Sequence, residues 1–229
     1  MFQVENWLTC SQLLLATETQ ETTPETIVLK LQCLTACIAS FLFISGCTAV
    51  AHDPLTFIVA NNQILVNGEV DRSAIRAFSE ITAQNPDIKT LVLQNVGGSV
   101  DDEANLELGR MVRKAGFTTI VPSNGLVASG GTDLFLAGKK RVLEQGACVG
   151  VHSWGGDVEG SELPRASQEH LPYLQYYEVM SIPAEFYWFT LNSASASEIH
   201  WMQQAETNRF NMTTDQAPKL GEPNTCDLR

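Results

Sequence analysis

Basic residues are scarce in this chain. Its 229 residues include 14 Lys and Arg against 26 Asp and Glu, a formal net charge of −12. The few cations are scattered and form no basic patch. That excludes nucleic acid as a partner, because phosphate binding needs a cationic surface. No cysteine pair has zinc-site spacing with a histidine partner, so no metal site is expected. No internal repeat is visible. The apolar run Leu31–Ile44 has 14 residues, too few for a comfortable membrane span. What is present is an apolar fraction of 44%, enough for a sizeable core in one domain plus extras.

The run LQCLTACIASFLFI follows Lys30 and has the length of a signal-peptide core. It ends in Ile44-Ser45-Gly46-Cys47, which resembles the lipobox of bacterial lipoprotein signals. That resemblance implies cleavage just before Cys47, a lipid on Cys47 and attachment to a membrane by that lipid. Thr48 follows, not the aspartate that commonly favours inner-membrane retention in such proteins. Residues 1–46 then read as a signal or anchor segment with an atypical extension, polar and acidic toward Glu25. An uncleaved anchor and a core helix are the competing readings. Residues 47–55 read as a tether.

The folded part is expected over 56–212. Thr56–Val70 holds two apolar runs around Asn61-Asn62, a hairpin pattern. Asp71 is a helix cap, and Ala74, Phe78 and Ile81 follow at helical spacing until Asn85-Pro86. Leu91–Leu93 is a buried strand ending in Gly97-Gly98. Asp101-Asp102-Glu103 opens a helix that Gly116 closes. Thr118–Val121, Arg141–Leu143 and Cys148–Val151 read as strands, and Thr132–Ala137 as a short helix. Strands alternating with helices predict an α/β fold on a largely parallel sheet. Trp154–Pro164 is a polar loop. Gln168–Met180 is helical, starting near Pro172. Phe186, Tyr187, Trp188 and Phe189 suit a core or a subunit contact. Glu198–Ala205 reads as a last helix, and 213–229 as a loose tail.

Six cysteines are present: Cys10, Cys33, Cys37, Cys47, Cys148 and Cys226. Cys33 and Cys37 lie in the apolar run and do not form a redox motif. Cys148 and Cys226 fall in or near the folded part. They bridge in an oxidising compartment, or stay one buried thiol and one tail thiol; the sequence leaves both open.

Three short stretches carry the chemistry: LVLQNVGGS (Leu91–Ser99), VASGG (Val127–Gly131) and VGVHS (Val149–Ser153). A serine, a histidine and two glycine turns are the parts that acyl transfer needs. Their order and spacing resemble the Clp-type serine peptidases of the crotonase-like superfold, over Leu91–Trp154. The resemblance implies a ββα superhelix with flanking helices and a homo-oligomeric ring. It also implies Ser129 as nucleophile, His152 as base, and the Gly98 and Gly130 N–H groups as oxyanion donors. No metal or organic cofactor is implied. The substrate would be a peptide or protein, and the location the bacterial cell envelope.

There are departures. Gly130-Gly131 follow the serine, where the peptidases carry alanine and a bulky residue. VASGG also lacks the first glycine of the G-x-S-x-G elbow. Where the family has its third, acidic residue, Asn192–Trp201 has no aspartate; Glu198 is the carboxylate there, and Asp157 is a poorer candidate. Ser129 as a helix cap and His152 as a packed histidine are the structural alternatives. A binding or assembly scaffold and an acyl-CoA enzyme are the functional ones. His52, His170 and His200 are given no role.

Overall fold

Two β-forming runs meet at Asn61-Asn62, and both asparagines take left-handed φ, +51° and +60°. A two-residue hairpin turn of type I′ requires this of its two central residues. The strands are β1 (Thr56–Ala60) and β2 (Gln63–Asn67), antiparallel with Ala60 opposite Gln63. This is a computed structural model, and it describes residues 52–229. The signal segment, Cys47 and the first part of the tether lie outside the described residues.

Ile64 and Val66 alternate inward from β2, both fully buried. Asp71 accepts the Ser73 N–H at 2.8 Å where α1 (Ser73–Gln84) begins. Next come β3 (Thr90–Val96) and α2 (Asp102–Lys114). Asp101 caps α2, accepting the Ala104 N–H at 2.9 Å; such a cap contributes about 1 kcal/mol. Acids in the first turn and Arg113 and Lys114 in the last suit the helix dipole. Then follow β4 (Thr118–Val121), β5 (Leu126–Ala128), α3 (Gly130–Leu136), β6 (Lys140–Leu143) and β7 (Cys148–Val151).

The sheet is mixed but mostly parallel. Only the β1–β2 pair and the pairing of β7 with β8 (His200–Trp201) are antiparallel among the described residues. It also forks. The first half of β3, Thr90–Val92, pairs with β4, which pairs with β6. The last residues, Asn95 and Val96, pair with β5, which pairs with β7. Of the strands after β3, β4 and β6 therefore lie in one branch and β5 and β7 in the other. The expected α/β architecture with a largely parallel sheet and flanking helices is the one observed. The C-terminal ends of β3, β5 and β7 converge on one side, each followed by a turn.

Beyond β7 the chain makes two short 3₁₀ turns, Gly160–Glu162 and Gln168–His170. After them come α4 (Leu171–Met180), with its proline in the first turn, and α5 (Ala184–Ser193). Phe186 and Tyr187 of α5 are buried in the core of the domain, so these two side chains are not free for a subunit contact. The expected helix over Glu198–Ala205 is replaced by a strand, β8 (His200–Trp201), antiparallel to β7. Helix resumes only at α6 (Gln204–Arg209), and α7 (Pro223–Cys226) ends the fold.

The tail after Thr213 is docked rather than loose. Buried Arg141 donates to the carbonyls of Met212 at 2.8 Å, Asn211 at 3.0 Å and Gly138 at 3.2 Å. Ala217, Leu220 and Cys226 are buried, and Cys226 forms a disulfide with Cys148 of β7. Among the described residues no helix is long and apolar enough to cross a membrane.

Candidate active site

The strand β5 stops at Ala128, and the next residue turns sharply into α3. Ser129 makes that turn with φ +51° and ψ −126°. A side chain in this region is strained by about 1–3 kcal/mol, strain that functional sites tend to hold. An ordinary helix cap keeps extended backbone and bonds an N–H of the first turn. Ser129 does neither: its hydroxyl makes no hydrogen bond to the described residues, and no side-chain cap is formed. The turn is held by the backbone instead. Ser129 N–H donates to Gly150 O at 3.1 Å, and the Thr132 hydroxyl donates to the same carbonyl at 2.8 Å.

Gly98 faces this serine across the fork. A methyl group on Gly98 would stand 3.6 Å from Ser129 Cβ and 3.9 Å from its Oγ. Among the described residues, neither the Gly98 nor the Gly130 N–H donates a hydrogen bond to backbone or side chain. Gly131 serves a different end. A side chain there would strike the Val96 carbonyl, so glycine is what lets α3 lie against β3.

His152 follows β7 directly and is half-buried. A pocket of about 40 Å³ opens between it and Ser129, walled by Asp102, Asp133, Trp154, Tyr173 and Tyr187 among others. No hydrogen bond joins Ser129 to His152. Contacts of this kind often close only in the substrate complex. The His152 Nδ1 instead lies 2.7 Å from the Ser153 carbonyl oxygen.

Two aspartates for which the sequence suggested no role in the site line this pocket. Asp102 accepts the Ser99 hydroxyl at 2.6 Å and the Tyr173 hydroxyl at 2.7 Å. Asp133, on α3, accepts the Tyr177 hydroxyl at 2.6 Å. Burial pushes the Asp133 carboxyl up to about 7, the Tyr177 hydrogen bond opposes this, and the nearby Asp102 charge adds to it. Behind it, one buried oxygen of Asn105 has no partner among the described residues.

Ser129, His152, Gly98 and Gly130 are thus brought together. Glu198 is not. It is exposed and accepts the Ser195 hydroxyl at 3.2 Å, with no bond to His152. Asp157 is exposed in the loop after the histidine. His200 pairs with Glu206 at 3.0 Å and His52 with Asp71 at 3.1 Å. His170 is fully buried, with Tyr187 at one ring nitrogen and a backbone carbonyl at the other. No group of three or more His, Cys, Asp or Glu that could hold a metal exists among the described residues.

No family model matches the chain, and no curated protein does. Solved structures similar to it include a membrane-bound stomatin-specific protease, 11% identical with a TM-score of 0.42, over 69% of this chain and 75% of that one. A probable enoyl-CoA hydratase of Mycobacterium tuberculosis H37Rv is 10% identical with a TM-score of 0.42, over 77% and 78% of the two chains. At this distance neither assigns a chemistry to this chain.

Proposed function

We propose that this protein is a serine hydrolase acting on peptide or protein substrates by acyl transfer. Ser129 attacks a carbonyl, His152 takes its proton and returns it to the leaving group, and the Gly98 and Gly130 N–H groups hold the oxyanion. The observation that carries this is the backbone of Ser129. A non-glycine residue sits in left-handed φ beside a histidine in one pocket, and neither its hydroxyl nor the two flanking glycine N–H groups are hydrogen-bonded to any described residue. Each such donor is worth about 3 kcal/mol in rate.

The envelope is the proposed location, with Cys47 lipidated. The lipobox-like ISGC supports it, and so does the Cys148–Cys226 disulfide, which fits an oxidising compartment. Assembly into a ring is proposed from the family resemblance alone. A catalytically idle scaffold is the second reading, favoured by one observation: no carboxylate bonds to His152 among the described residues.

A fluorophosphonate probe on the purified full chain, read by mass spectrometry, tests the proposal. The expected result is an adduct on Ser129 that is lost in His152→Ala. A folded sample that takes no label overturns the hydrolase and leaves the scaffold.

A further inference from the structure

The histidine of such a pair needs an acceptor on its far nitrogen to fix its tautomer and ring plane. Here that acceptor is not a side chain. His152 Nδ1 lies 2.7 Å from the Ser153 carbonyl oxygen. A carbonyl can only accept, so Nδ1 carries the proton of the neutral ring. Nε2 is then the basic nitrogen.

The carbonyl is itself held. Ser153 is fully buried. Its N–H donates to Ala194 O at 3.0 Å. Its hydroxyl donates to Trp154 O at 3.1 Å and accepts the Ser161 N–H at 3.1 Å. The next residue, Trp154, stacks on Tyr173 with ring centroids 5.9 Å apart and planes 5° off parallel. Its indole N–H donates to the Tyr187 hydroxyl at 2.9 Å. That hydroxyl has accepted one proton and has its own to give, and it gives it to His170 Nδ1 at 2.7 Å. His170 Nε2–H then donates to the Pro164 carbonyl at 3.2 Å. One proton arrangement satisfies every member of the chain. It fastens both ends of the 154–164 loop to α5, and it gives fully buried His170 a role the sequence did not suggest.

We infer that His152 is oriented as a base by the main-chain carbonyl of Ser153, and that Tyr187 and His170 are positioning residues that hold this carbonyl through Trp154. No third acidic side chain is needed for orientation, and Glu198 takes no part. The catalytic consequence rests on the hydrolase proposal; the orientation itself does not.

The test is nitrogen NMR on the full chain labelled with ring-¹⁵N histidine, the His152 signals being assigned by their loss in His152→Ala. The expected neutral ring has a protonated Nδ1 and a bare Nε2. In Glu198→Gln this tautomer stays, and Ser129 labelling by the fluorophosphonate stays within about twofold. In Tyr187→Phe the two tautomers mix and labelling falls on the order of tenfold. If Tyr187→Phe does not fold, Trp154→Phe removes the same N–H donor and keeps an aromatic ring. A neutral His152 protonated on Nε2 overturns the inference, and so does a tautomer or tenfold labelling change in Glu198→Gln. A Ser129 that never labels, with His152 protonated on Nδ1, sinks the hydrolase and leaves the orientation standing.

Discussion

The strained serine makes a prediction about stability in which glycine and alanine change places. At an unstrained site, replacing alanine by glycine costs about 0.5–1 kcal/mol, because the unfolded chain gains freedom. Ser129 holds φ +51° and ψ −126°, where a Cβ adds about 1–3 kcal/mol of strain. Its hydroxyl makes no hydrogen bond to the described residues, so Ser129→Ala removes no bond and keeps the strain. Ser129→Gly releases the strain. Subtracting the glycine penalty leaves Ser129→Gly more stable than Ser129→Ala by about 1 kcal/mol, or ~2–4 °C in Tm for a domain of this size. Urea unfolding of the two variants side by side measures the difference, with m-values compared so that a change in the unfolded state is caught. If Ser129→Gly is the less stable by the usual ~0.5–1 kcal/mol, the turn holds no strain and the main support for a nucleophile is gone.

Other outcomes follow from the same geometry. Asp133 binds its proton more tightly when folded, near 7 against the usual 3.8, so its contribution to stability is complete below about pH 4 and is lost as pH rises through about 7; Asp133→Asn should flatten that fall in urea titrations across the window, and an unchanged slope refutes the assignment. Reducing Cys148–Cys226, which closes 78 residues of chain, should lower stability by up to about 4.5 kcal/mol on loop entropy, read as a drop in Tm with dithiothreitol that Cys226→Ala reproduces. Gly131→Ala should lose about 1–3 kcal/mol as α3 is pushed from the Val96 carbonyl, while Gly97→Ala, which meets open space, should unfold with nearly wild-type stability; equal losses would mean that α3 does not depend on close approach.

Local signals in the sequence were strong wherever one or two residues decide a backbone shape. Asn61-Asn62 announces the hairpin, Asp101 announces α2, and the glycines around Ser129 and before Ser99 mark the turns that meet at the pocket. What escaped was set by distant pairing. His200-Trp201 carries no strand pattern of its own and becomes β8 only because β7 offers an edge. The tail is polar along most of its length; Ala217 and Leu220 are too sparse to mark a docking face, and the carbonyls that accept from Arg141 lie some 70 residues away in sequence. Asp102 read correctly as a helix-start acid, and nothing local says that its carboxylate also faces the pocket. His170 stands among polar residues, and only the fold seals it against Tyr187 and Trp188. The sequence also pointed to a missing acid and to Glu198 as its substitute. A backbone acceptor leaves no trace in a sequence, so Ser153 could not be found that way.

The strand β3 alternates with a slip. Its fully buried side chains run Leu91, Leu93 and then Val96, a step of two followed by a step of three. Gln94 is the residue that makes the slip: β2 pairs Val66 with Leu93 and Asn67 with Asn95, passing over it, and the β4 and β5 pairings stop short of it on either side. In an unbroken strand the parity set by Leu91 would have carried inward through Asn95 to Gly97. One unpaired residue reverses that parity, so Gly98 comes to rest against Ser129 while Gly97 opens to solvent. Two adjacent glycines, identical in chemistry, are given different tasks by a count made three and four residues upstream.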